Sequence, residues 1–146
     1  MTTPELTHCV STLCAARADD AFAFLADPLR LGEWALGCWG AASVADGLVQ
    51  GTSLFDGAPA YARIVPDPEH LVVDFEVGSE PAELVRRISS RVVPGGELGH
   101  GPGVCVLMLL AWRPATMDDE RWRRLVAAHE AEILLLRGRV ETEAPA

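Results

Sequence analysis

The most regular apolar pattern lies at the end of the chain. Trp122, Val126, His129, Ile133, Leu136 and Val140 fall at steps of 4, 3, 4, 3 and 4, which draws one stripe along a helix. A helix over about Asp119 to Val140 would run ~33 Å at 1.5 Å per residue. Thr116-Met-Asp-Asp119 reads as its capping box, with Asp in place of the usual Glu or Gln. At the other end, His8 to Ala15 is an extended run of Thr, Val, Cys and Leu and predicts a strand. Ala21, Phe22, Leu25 and Ala26 then share one helical face. Asp27-Pro28 closes that helix and opens a short second one toward Trp34, with Asp27 as N-cap and Pro28 at the first position.

Between these helical ends the period changes to two. Gly37 to Val44 is a strand poor in strand-forming residues, and Asp46-Gly47 is a hairpin signal. Leu48 to Phe55 and Pro59 to Val65 continue a meander. His70 to Val77 alternates, with Leu71, Val73, Phe75 and Val77 on one face and His70, Val72, Asp74 and Glu76 on the other. Glu83 to Val93 places Leu84, Ile88 and Val92 against Arg87 and Arg91. Pro94 to Gly103 holds five Gly, is long for a hairpin turn and is a candidate lid. Val104 to Trp112 is the last strand, and both of its faces are apolar: Val104, Val106, Met108, Leu110 and Trp112 on one, Cys105, Leu107, Leu109 and Ala111 on the other. A sheet with one wet face alternates apolar and polar residues. The outward face is therefore expected to be covered, by a second subunit in a homodimer or by the chain's own loops or N-terminal arm.

The chain has 146 residues and shows no repeat or linker, so a single domain over 1–146 is expected. Its longest apolar run, Val104 to Trp112, is too short for a membrane helix, which needs about 20 residues. The first residues lack a basic segment followed by an apolar one. No membrane insertion and a cytoplasmic location follow as expectations. The chain holds 12 Arg, no Lys and 21 Asp or Glu, a net charge of −9. That argues against nucleic acid, whose binders usually carry a basic face. Cys9, Cys14, Cys38 and Cys105 show no metal-ligand spacing and read as small buried hydrophobes in a reducing compartment. No metal and no organic cofactor is implied.

The order is strand, two short helices, six strands, one long helix. Within it stand Ala16-Arg-Ala-Asp-Asp-Ala-Phe-Ala-Phe-Leu-Ala-Asp27, Pro28, Glu33-Trp34 and the ending Trp122, Leu125, Glu132, Leu135, Glu141. Over residues 6–141 this resembles the START-like (SRPBCC) superfamily, which includes polyketide cyclases, lipid-transfer domains and heat-shock-protein activators. The resemblance implies an α+β helix-grip fold. A curved antiparallel sheet of about seven strands would wrap around the C-terminal helix, with an apolar cavity between sheet and helix.

Candidate chemistry comes from that geometry. His129 interrupts the apolar stripe of the last helix. It can be a ligand-orienting group or a general acid or base, or a core histidine with an internal hydrogen bond. Trp34, Trp39, Tyr61, Phe75, Met108 and Trp112, with Val126 and Ile133 on the helix, are candidates for a cavity wall, or they simply fill the core. Arg63 and Arg86 would need an anionic partner if turned inward; outward they are solvated. Asp74 and Glu76 read as a solvent-facing pair. The Gly-rich segment is no phosphate loop, because no Lys-Ser/Thr and no helix follow it.

The expected function is binding of a small hydrophobic or amphipathic molecule in the internal cavity, as a carrier or sensor. The alternatives are a polyketide cyclase or dehydratase-like enzyme using His129, and an interaction domain resembling heat-shock-protein activators. Fold alone does not decide among them.

Overall fold

The computed structural model describes residues 5–143. Seven strands and two α-helices follow one another as β1 (Thr7–Cys14), α1 (Ala18–Ala26), β2 (Trp39–Ala45), β3 (Leu48–Thr52), β4 (Pro59–Asp67), β5 (Val72–Gly78), β6 (Val85–Pro94), β7 (Cys105–Trp112) and α2 (Asp119–Glu143). Short 3-10 helices over Pro28–Glu33 and Leu36–Cys38 connect α1 to β2. The strands form one open antiparallel sheet in the order β1-β7-β6-β5-β4-β3-β2. The long closing helix lies against the β1 and β7 side of it. This is the helix-grip arrangement.

Local chemistry explains the element ends. The Asp27 carboxylate accepts from the Leu29 amide at 2.9 Å, and Pro28 follows it in the first position. The segment it opens winds as a 3-10 helix. The start of α2 differs from the capping box read at Thr116. Asp118 is the residue that accepts, from the Arg121 amide at 2.8 Å, so the carboxylate nearest the first turn takes the cap. The β2–β3 hairpin turns at Gly47 with φ +70°, the left-handed region that Asp-Gly turns need.

The small residues of β2 have a packing reason. A Cβ on Gly32 would lie 2.1 Å from the Ala41 nitrogen. The 3-10 helix therefore rests directly on the β2 backbone, which larger side chains on either partner would prevent. The poor strand-former content of Gly37 to Val44 reflects this close approach.

The inward face of the sheet is set by register. Cys14 pairs with Cys105, Thr12 with Leu107, Val10 with Leu109 and His8 with Ala111. Cys105, Leu107, Leu109 and Ala111 are fully buried. Their alternates Val106, Met108 and Leu110 lie half-buried on the outer face. Arg63 and Arg86 also point outward, where they meet Glu76 at 3.9 Å and Asp74 at 3.6 Å. Cys14, Cys38 and Cys105 are buried free thiols, whereas Cys9 is exposed, because it alternates with the inward residues of β1. Among the described residues no helix is long and apolar enough to cross a membrane.

The β5–β6 pairing carries one irregularity. Phe75 pairs with Ile88, but Glu76 pairs with Arg86. Arg87 is the extra residue of a β-bulge, which bends the strand and re-aims side chains.

Candidate functional site

Between the sheet and the first half of α2 lies a cavity of about 270 Å³. Ligand sites generally begin at about 300 Å³, so this one suits a small molecule. Its sheet wall is built from small residues. Ala60 and Ala62 of β4, with Gly78 at the end of β5, border it. The two alanines leave room that Val or Leu would fill, whereas a Cβ on Gly78 would meet the Glu83 carbonyl oxygen at 2.8 Å. Trp34, Phe75, Ala62, His129 and Glu132 are buried and form the deep part. Asp56, Pro59, Ser79 and Trp112 are exposed and form a rim. Trp34 and Phe75 meet edge to face, with ring centroids 5.9 Å apart at 75°, a favourable aromatic geometry.

Of the nine residues proposed from sequence for the wall, Trp34, Tyr61, Phe75, Trp112 and His129 border the cavity. The other four do not. Met108 lies on the outer face, one residue out of step with buried Leu107 and Leu109. Trp39 stands at the start of the edge strand β2 and is 38% exposed. Ile133 is buried in the solid core beyond the cavity. Val126 is half-buried on the stripe beside the one that faces the cavity. The Gly-rich loop is no lid. Gly95 N–H donates to Val104 at 2.9 Å and His100 N–H to Gly95 at 2.8 Å, and none of its residues borders the cavity.

The helix contributes Arg121, Leu125, His129 and Glu132, spaced 4, 4 and 3 along one strip. Three of them are polar. Glu132 is 8% exposed and its Oε2 accepts from the Leu36 amide at 2.9 Å. Burial pushes its carboxyl up to about 7, against the bond from Leu36, which holds it lower. His129 is 2% exposed. Burial first, and the neighbouring His8 second, pull its imidazole down to about 4, so it is neutral at physiological pH. Its Nδ1 lies 3.4 Å from Nδ1 of His8, and its Nε2 has no partner among the described residues. Arg121 stacks on Phe55, its guanidinium carbon 3.9 Å from the ring centroid. Burial, then Arg124, lower its pKa, yet an Arg stays charged at neutral pH.

Two of these groups escape the sequence pattern. Glu132 and Arg121 are polar residues on a helix and read as solvated. Arg87 reads as outward by alternation, and only the bulge brings it to the cavity. Cys38 also borders the cavity, but burial pushes its thiol up to about 11, so it is no nucleophile at neutral pH. Among the described residues no three His, Cys, Asp or Glu converge as metal ligands do. The chemistry present is one neutral imidazole, one buried carboxyl that titrates near neutrality and two cations around an aromatic floor, with the Asp56 carboxylate and the Ser53, Tyr61 and Ser79 hydroxyls nearer the rim.

No family pattern and no curated protein matches the sequence. Solved structures do match in shape. The di-domain ARO/CYC protein BexL of the BE-7585A biosynthetic pathway superposes with a TM-score of 0.68 at 17% identity, over 92% of this chain and 46% of its own. This chain thus spans just under half of BexL. A START superfamily protein from Mycobacterium smegmatis gives 0.67 at 15% identity, over 94% and 99% of the two chains. The Zhui aromatase/cyclase from Streptomyces sp. R1128 gives 0.64 at 16% identity, over 96% of each chain. Identities this low speak for the fold alone, and with the open sheet and the long closing helix they show that the chain has the helix-grip fold of these START-like structures.

Proposed function

We propose that the protein binds a small, largely apolar molecule in the cavity between its sheet and α2. The observation that carries this reading is the cavity itself, about 270 Å³ behind a wall of Ala60, Ala62 and Gly78. A core packed only for stability would fill such space, because protein interiors are close-packed. Trp34 and Phe75 offer flat apolar contact, and a few polar groups give orientation, the usual make-up of a ligand site.

The uncharged fluorophore N-phenyl-1-naphthylamine tests this. Its emission is expected to rise on binding, and Trp34 and Trp112 emission to fall by energy transfer. Ala60→Leu, which fills the cavity from β4, is expected to weaken binding at least about tenfold, or about 1.4 kcal/mol. Unchanged binding in that variant would place the probe elsewhere and refute the assignment.

A second reading, catalysis of the polyketide cyclase or dehydratase type, is favoured by one observation. Glu132 titrates near 7 beside a neutral His129, and a carboxyl so poised suits an acid or base working near neutral pH. Recovery of a bound β-hydroxyketone after loss of one water supports it. Recovery of the same compound unaltered supports binding alone.

A further inference from the structure

His129 and His8 pose a question of tautomers. They touch through Nδ1 and Nδ1 at 3.4 Å, with ring centroids 5.6 Å apart. Between two neutral imidazoles one of these nitrogens must carry the proton and the other accept it. The second nitrogen of His8 decides which. His8 Nε2 faces the carboxylate of Glu130 on the solvent side, 4.0 Å away. At 4.0 Å this is no direct hydrogen bond, but the negative charge, reached directly or through a bridging water, favours the proton on His8 Nε2. His8 Nδ1 is then the acceptor, His129 Nδ1–H the donor, and His129 Nε2 a bare lone pair.

That lone pair sits where a ligand would need it. His129 borders the cavity and is 2% exposed, and Nε2 has no partner among the described residues. Glu132, one turn along the helix, is engaged through Oε2 with the Leu36 amide, and the other acceptors that border the cavity, Asp56 and Ser79 at the exposed rim and half-buried Ser53 and Tyr61, lie outside its buried part. Arg121 and Arg87, which also border the cavity, are donors with no lone pair to offer. A buried acceptor left unmade is costly and discriminates strongly between ligands that satisfy it and ligands that do not.

We propose that His8 is a positioning residue that fixes the Nδ1–H tautomer of His129, so that the cavity selects apolar molecules carrying a hydroxyl donor. The inference rests on the binding of a small apolar molecule in this cavity. It deepens that reading by naming the feature of the ligand and the atom that reads it. The outer imidazole acts on the ligand through the inner one.

The test compares 2-naphthol with 2-methylnaphthalene, which match in size and differ in the donor. At about pH 8, above the ordinary imidazole range, 2-naphthol is expected to bind about five- to tenfold more tightly. In His8→Phe that preference is expected to vanish. In His8→Gln, whose amide oxygen can accept from Nδ1–H, it is expected to return. Imidazole nitrogen-15 shifts of the wild-type protein report the tautomer directly, with His129 expected to be protonated at Nδ1 and bare at Nε2. They decide the matter even where His8→Phe fails to fold. Equal affinity for the two probes, or a protonated Nε2, overturns the proposal and leaves the cavity reading standing. Binding of neither probe overturns both.

Discussion

The two halves of α2 do different work against the same sheet. Beyond His129, Ile133, Leu136 and Val140 pack into a solid core with Cys14, Val92, Cys105 and Leu107, each of them buried. Before Ile133, Arg121, Leu125, His129 and Glu132 look across space at Ala60, Ala62 and Gly78. One helix supplies both, and its turns are alike. The difference lies in contact: the second half packs in one cluster with Cys14, Val92, Cys105 and Leu107, whereas the first half faces Ala60 and Ala62 across a space floored by Trp34 and Phe75. Cavity and core are thus written in the strands. The helix answers with apolar residues where the wall touches it and with polar ones where it does not. Polar side chains buried in a solid core would be costly without partners. Here they border a cavity that a ligand or water can occupy.

The largest expected effect separates the halves by stability. Leu136→Ala should cost about 2–5 kcal/mol, the range for buried Leu truncations, because Leu136 is 0% exposed. Urea denaturation would measure it, with affinity for N-phenyl-1-naphthylamine unchanged. An affinity loss in a folded variant would show that the two halves are not independent.

Next comes the pH dependence of the cavity half. Burial raises the Glu132 carboxyl from 4.5 to about 7. A group raised by folding favours the native state at low pH and loses that contribution as pH rises. The Glu132 contribution should therefore fall between about pH 4.5 and pH 7, by something on the order of 3 kcal/mol at most. Glu132→Gln keeps an acceptor for Leu36 and removes this contribution, so the variant should be the more stable at about pH 8 and its stability should rise with pH. His129 acts in the opposite sense. Its imidazole is lowered from 6.5 to about 4, so stability falls as pH drops through that window. Because the two windows overlap and the shifts are alike in size, the wild type should be nearly flat between about pH 4 and pH 8, and a Glu132→Gln profile that is equally flat would mean that water reaches both groups freely.

The smallest effect belongs to the outer face. Arg63 and Glu76 are part-exposed, at 42% and 33%, and 3.9 Å apart. Arg63→Ala should cost no more than about 1 kcal/mol and leave probe binding alone. A larger loss would place Arg63 in the account of the core, which its register denies.

The fold was readable because periods speak plainly over long elements. The alternation of His70 to Val77 and the spacing from Trp122 to Val140 locate β5 and α2, and Asp-Gly marks the first hairpin. Ends were less readable, since Asp118 rather than Thr116 caps α2. The site was half readable. Aromatic bulk pointed to Trp34 and Phe75, but the same logic chose Met108 and Trp39, whose direction depends on parity and on sheet position. A stripe drawn through apolar residues ran beside the cavity strip and shared only His129 with it. Arg121 and Glu132 carry no sign of a cavity role in the sequence, because a polar residue on a helix usually faces water. Arg87 was hidden by a bulge that no alternation can announce. The emptiness itself comes from Ala60 and Ala62, residues notable for what they lack.

The most direct test is to add N-phenyl-1-naphthylamine to isotope-labelled protein and map which backbone amides shift. The account predicts shifts at Phe55 to Ala62, at Phe75 to Ser79 and along Arg121 to Glu132, with Cys14, Cys105 and Val140 unmoved. Shifts centred on the solid half or on the outer face of β7 would contradict it, as would a spectrum that does not change.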